Sequence, residues 1–117
     1  MPTPITPGAV FKENLALLPS IAGLARVDLL DAAGEVVATI PNEPGKQGSL
    51  AVYAYLAQAF GQLDRAAAEH ALAVFAEHTP DARSRPGAHP NVDRLLEIAA
   101  GAAPLRIVAV DAGEGEG

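Results

Sequence analysis

From Gln47 to Leu63 the sequence QGSLAVYAYLAQAFGQL holds no charge, and Lys46 and Asp64 stand at its borders. Leu50, Tyr53, Ala54 and Ala57 fall on one helical face, and Val52, Leu56, Ala59, Phe60 and Leu63 on another. Only Ala51, Tyr55, Gln58 and Gln62 leave a strip fit for water. This pattern predicts a helix covered on most of its circumference. Ser49 is the expected N-cap and Gly61 the expected left-handed stop. A bilayer span takes about 20 apolar residues, so the segment reads as the central core helix of a small domain and no membrane partner is expected.

The flanking segments take their places around that helix. Phe11, Leu15 and Leu18 recur at helical spacing between Val10 and Leu18, with Lys12, Glu13 and Asn14 on the opposite side, and Pro19 ends the run. Ala25 to Ile40 alternates with period two and turns at Asp31-Ala32-Ala33-Gly34, which predicts a hairpin whose last turn residue is a left-handed glycine. A second long helix is expected from Asp64, its cap, to His78, with Ala68, Ala71, Leu72 and Phe75 inward and Glu69, His70 and Glu77 in water. Thr79 to Pro90 reads as a polar loop, Asn91 to Ala100 as a further helix capped by Asn91, and Leu105 to Val110 as a strand beside the hairpin.

The order α-β-β-α-α-α-β gives an α+β fold, a three-stranded antiparallel sheet (hairpin plus C-terminal strand) packed on about four helices. Residues 10–110 form the expected single domain. Residues 1–9 are expected as a loose proline-rich arm, and residues 111–117 as a disordered acidic tail without an apolar anchor. Neither end is expected to contribute to stability.

Composition changes this picture in three respects. Alanine accounts for 25 of 117 residues and aromatics for 4%, so the core is thin and each helix contact buries little area. Self-association, most simply as a homodimer, would supply the missing burial. The uncharged strip Tyr55, Gln58 and Gln62 is the candidate interface, because tyrosine is favoured and charge disfavoured there; partial cover by the first helix is the alternative. The net charge of −6, with Lys and Arg scattered, argues against nucleic acid. Without cysteine there are no disulfides, and MPTPITPGAV lacks the basic and apolar runs of a signal peptide, so a cytoplasmic protein is expected.

Candidate chemistry is sparse. Lys46, Gln47, Gly48 and Ser49 lead from a glycine- and proline-punctuated loop into the central helix, where unpaired first-turn amides can hold an anion. A plain capped turn explains the same residues, and the G-x-x-x-x-G-K-[ST] phosphate loop is absent. Arg83, Arg85 and His89 bring three potential cations into one loop, either for a small anionic ligand or for internal pairs with Asp28, Glu43 or Asp93. His70 and His78 stand about 12 Å apart along a helix. His78, Asp81 and His89 can meet only if the loop folds back, and no tight metal-ligand spacing exists. No metal or cofactor is expected, no catalytic residue can be singled out, and whether the protein is an enzyme stays open.

The segments DLLDAAGEVVATIPNEPGKQGSLAVY and FAEHTPDARSRPGAHPNVDRLL resemble a small bacterial family, a domain of unknown function about one hundred residues long. The resemblance covers roughly Leu15 to Val110. It implies a bacterial, cytoplasmic, single-domain protein and supplies neither a ligand nor a catalytic residue. The two functional expectations are a non-catalytic binding or accessory module that self-associates, and a small-anion or metabolite-binding protein or enzyme using residues 45–49 and 79–90.

Overall fold

The structure is a computed structural model, and it describes residues 5–112. Nine elements follow one another: α1 (Phe11–Leu15), β1 (Leu24–Leu30), β2 (Val36–Pro41), α2 (Gln47–Ala59), β3 (Gln62–Leu63), α3 (Arg65–Val74), α4 (His78–Ser84), α5 (Pro90–Ala99) and β4 (Leu105–Asp111). The α+β class is as read from the sequence, but the antiparallel sheet has four strands in the order β2-β1-β4-β3, not three, and there are five helices. The added strand is Gln62–Leu63, which pairs with Arg106 and Leu105. Two residues carry no period, so alternation could not reveal it.

The hairpin forms, but its register shifts between the Leu29–Ala38 and Leu30–Val36 pairs, so strict alternation stops at Ala38 and Val36 is exposed. Asp31 Oδ1 accepts from the Ala33 and Glu35 N–H groups, and Gly34 closes the turn at φ +84°, a left-handed conformation that glycine adopts without penalty. Val27 and Leu29 on β1, Ile40 on β2 and Ile107 on β4 are buried. The opposite face carries Arg26, Asp28 and Thr39, joined by Arg26 Nε–Asp28 Oδ1 (3.1 Å) and Thr39 Oγ1–Asp28 Oδ1 (3.0 Å).

Helix α2 crosses the inner face of the sheet and touches all four strands. Every residue from Val52 to Leu56 is buried, so the middle of the helix is covered on all sides. Tyr55 is therefore no part of a wet strip: it is 1% exposed, and its hydroxyl accepts from the Ile5 N–H at 2.9 Å and meets His70 Nε2 at 2.6 Å. Gln62 lies in β3, and of the three only Gln58 is exposed on α2, so they do not form one surface. The same bond ties Ile5 to the core, and Gly8 exchanges two hydrogen bonds with Asn14, so residues 5–9 are anchored where a loose arm was expected. Residues 1–4 and 113–117, which make up the rest of the arm and nearly all of the expected tail, lie outside the described residues.

The long helix expected from Asp64 to His78 is two. Asp64 caps the first as foreseen, accepting from the Ala67 N–H at 2.9 Å. After Val74 the chain turns through Ala76 at φ +52° and restarts as α4. Pro80 falls within the first turn of α4, where a missing N–H costs nothing. The break leaves carbonyls of α3 without helical donors, and side chains supply them: Thr79 Oγ1 donates to Leu72 O at 2.6 Å, and Asn14 Nδ2 to Val74 O at 2.9 Å. Ala76 holds its left-handed conformation at a cost glycine would not bear. Ala76→Gly is thus expected to raise stability by roughly 0.5–1 kcal/mol, read as a higher urea midpoint; an unchanged or lower midpoint would remove strain from the account of this corner.

Half-buried His70 lies between the rings of Tyr55 and Phe60, with centroids 5.6 and 5.2 Å away. It is not the solvated residue its position on a polar face suggested. Burial lowers its pKa from 6.5, and its Nε2 shares a hydrogen bond with the Tyr55 hydroxyl. The unfolded chain then binds the proton more readily than the folded one. Stability should be fully present above about pH 6.5 and fall as pH drops from there toward the lower folded value. Melting curves between pH 7.5 and 5 should show a loss that His70→Gln reduces; parallel curves for parent and variant would count against it.

Candidate functional site

Helix α2 begins three residues earlier than a Ser49 cap would allow. Lys46 occupies the N-cap position and gives no side-chain cap, and Ser49 is the third helical residue. The Gln47, Gly48 and Ser49 N–H groups have no partner among the described residues. They are open donors at the positive end of a 13-residue helix. Gly48 also lets α1 lie against this turn: a Cβ there would stand 3.2 Å from the Phe11 ring.

Lys46, Gly48 and Ser49 form one wall of a cleft of about 400 Å³. The opposite wall is the start of α5, where His89 is the N-cap, Pro90 the first helical residue and Asn91 a residue with a free N–H. The expected Asn91 cap is displaced by two residues, and Asn91 serves Tyr53 instead: its carbonyl accepts the Tyr53 O–H at 2.6 Å, and Arg94 bonds its Oδ1 at 2.9 Å. Burial, opposed by Arg94, pushes the Tyr53 hydroxyl up to about 12. This fixed pair joins α2 to α5 beside the cleft.

The floor is aromatic. Phe11 stacks on Phe75 at 5.1 Å, His78 meets the Phe11 edge at 4.9 Å, and His89 follows His78 at 5.3 Å. Behind His89 stands Asp81, with Oδ2 2.6 Å from Nε2. Asp81 also receives Arg85 Nε at 3.0 Å. Hydrogen bonds from Arg85 first, and His89 second, hold the Asp81 carboxyl well below the usual carboxylate range. Glu77 is likewise lowered, chiefly because its Oε1 accepts the Phe11 N–H at 2.7 Å and so pins the start of α1.

Of the sequence candidates, Lys46, Gly48, Ser49 and His89 line this one cleft. Gln47 does not line it; its side chain bonds Asn42 Oδ1 at 2.8 Å. Arg85 is occupied by Asp81, an internal pair other than the three envisaged. Arg83 lines a separate, shallow groove with Glu69, Leu72 and Leu96. It is carried there by α4, a helix in place of the expected loop, which faces Thr79 and Ala82 inward. His78, Phe11 and Phe75 were not singled out as lining; their spacing reads as core or surface, and only the α3–α4 break turns them to the cleft. Among the described residues no three His, Asp or Glu are grouped to hold a metal, and no helix is long and apolar enough to cross a membrane.

The architecture is that of a small α+β domain with an open four-stranded sheet and one cleft between two helix starts. The chain belongs to the DUF2322 family, described as an uncharacterized protein conserved in bacteria, which matches residues 11–109. No curated protein and no solved structure matches it.

Proposed function

We propose that the protein is a binding module for a small anionic metabolite, taken up in the cleft between α2 and α5. One observation carries this reading: two helix starts, Lys46 and two imidazoles bound the same cleft, and among the described residues no Asp or Glu lines it, although the chain's net charge is −6. Helix N-termini favour negative charge, and open N–H groups can donate to carboxylate or phosphate oxygens. The Phe11 and Phe75 rings beneath favour a ligand with an apolar body behind its anionic head. Arg83 and Arg85 take no part. Nothing in this reading requires a chemical step.

The test is a thermal melt of the protein with inorganic phosphate, sulfate, dicarboxylates, aromatic carboxylates and nucleotides. A ligand at one hundred times its dissociation constant stabilises by about 2.7 kcal/mol. At least one of these probes should raise the midpoint, and Lys46→Ala and His89→Ala should each reduce that rise without lowering the unliganded midpoint by a comparable amount. No shift with any probe, or a shift that both variants retain in full, would overturn the assignment.

A further inference from the structure

His89 does not stand alone in the cleft wall. Asp81 on α4, Arg85 just after that helix and His89 at the start of α5 are bonded in series. Arg85 Nε meets Asp81 Oδ1 at 3.0 Å and its Nη2 bonds Oδ2, so the guanidinium fork fixes the plane of the carboxylate. His89 Nε2 then lies 2.6 Å from Oδ2. None of these bonds reaches into the cleft.

The series decides which ring nitrogen carries the proton. Asp81 is held well below the usual carboxylate range, so it stays ionised and can only accept. Nε2 is therefore the N–H donor of the neutral ring, and Nδ1 is left with a bare lone pair. Nδ1 has no partner among the described residues and makes no cap bond at the start of α5. No buried side-chain nitrogen among those residues lacks a partner, so Nδ1 is open. Since His89 lines the cleft, Nδ1 is the nitrogen a bound molecule meets.

An anionic oxygen has nothing to gain from a bare lone pair. It needs Nδ1–H, and with Nε2–H already given to Asp81 that state is the imidazolium. We infer that the cleft takes up its anion together with a proton: His89 becomes an imidazolium that donates Nδ1–H to the ligand and Nε2–H to Asp81. The inference rests on the anion-binding reading of the cleft and adds its control by pH. Asp81 is a positioning residue, since it touches His89 and not the ligand. Charge points the same way, because Asp81 and Arg85 cancel and protonation of His89 leaves the trio with a net positive charge. The other groups around the ring do not replace this proton. His78 on α4 faces His89 at 5.3 Å, and a second imidazolium there would repel the first. Lys46, before α2, adds a positive charge on the opposite wall, while α1 and the end of α3 contribute only the Phe11 and Phe75 rings. Asp93 of α5 is turned to the Gly87 N–H at 2.9 Å, and Glu77 to the Phe11 N–H.

Sulfate and benzoate are the probes, because neither titrates between about pH 5.5 and 8.5, the range in which imidazole ordinarily does. Calorimetry on the full chain near pH 7.5, in two buffers of different ionisation enthalpy, should show close to one proton taken up per anion bound. Toward the alkaline end of the range Kd should weaken by up to about tenfold per pH unit, the slope of a single linked proton. His89→Gln should bind more weakly, without proton uptake and with a flat profile. Asp81→Asn is the sharper variant. An amide can accept or donate, so the neutral ring is free to carry its proton on Nδ1 and the profile should flatten although His89 is intact. A residue that merely braced the fold would instead weaken binding equally at every pH. Binding without proton uptake, uptake that persists in His89→Gln, or a slope that Asp81→Asn leaves unchanged would overturn the inference while the cleft remains an anion site. Binding of neither anion at any pH would overturn both.

Discussion

Leu56→Ala is expected to cost about 2–5 kcal/mol, the range for a truncated buried leucine that leaves a cavity behind. Leu56 is fully buried in the middle of α2, the helix that touches every strand. The core cluster it belongs to takes three alanines from α3, at Ala67, Ala68 and Ala71. Small side chains cannot swing into the space, so the cavity should persist and the cost should fall in the upper part of the range. The measurement is a urea titration at fixed protein concentration, with the slope unchanged and the midpoint lowered. Gln58→Ala, two residues along and exposed, is the control and should leave the midpoint in place. A Leu56→Ala protein that unfolds with the parent would remove α2 from the centre of the fold.

How much of this was legible depended on whether a signal was local. The hairpin was in its place and direction, because alternation and an Asp-x-x-Gly turn lie within a dozen residues; the register shift after Leu29 was not, since it leaves the alternation of residue types unchanged. The central helix was, because an uncharged run between two charges has nowhere to go but inward. Its precise start was not: Ser49 has the chemistry of a cap, yet Gly48 brings the Phe11 ring close to the first turn and the helix begins at Gln47. The α3–α4 break was invisible, since an alanine makes the left-handed turn and Pro80 shelters in a first turn. Tyr55 misled for a related reason. A helical wheel places it with Gln58 and Gln62, but the Ile5 amide and His70 satisfy its hydroxyl and allow the ring to be buried.

The cleft was half legible. Lys46, Gly48 and Ser49 follow from a glycine-rich loop entering a helix, and His89 from its place beside Pro90. What the sequence could not convey was that Arg83 and Arg85 leave this group, because α4 is a helix and spreads its residues around an axis. Nor could it convey that Asp81 stands behind His89 rather than in the cleft, so that the lining stays free of carboxylate. Both facts are consequences of a single backbone turn at Ala76.

Asn14→Ala is the second large effect, and it tests that turn from the other side. Asn14 is 1% exposed although helical spacing assigns it to water beside Lys12 and Glu13. Its Oδ1 accepts from the Gly8 N–H at 2.8 Å, and its Nδ2 donates to Gly8 O at 3.1 Å and to Val74 O at 2.9 Å. One amide thus holds residues 5–9 against the core and satisfies a carbonyl left open where α3 stops. Truncation orphans the buried Val74 carbonyl, a loss of about 1–3 kcal/mol by itself, and releases Gly8 in addition. Asn14→Asp preserves shape but turns a carboxylate toward two carbonyl oxygens, so near neutral pH it should be worse than alanine. Each kcal/mol shifts the melting midpoint of a domain this size by several degrees, which makes both changes easy to read. Deleting residues 1–8 should destabilise less than Asn14→Ala, because the Asn14–Val74 bond survives it. If Asn14→Ala and Asn14→Asp both melt with the parent, the amide closes nothing and the anchoring of residues 5–9 falls with it.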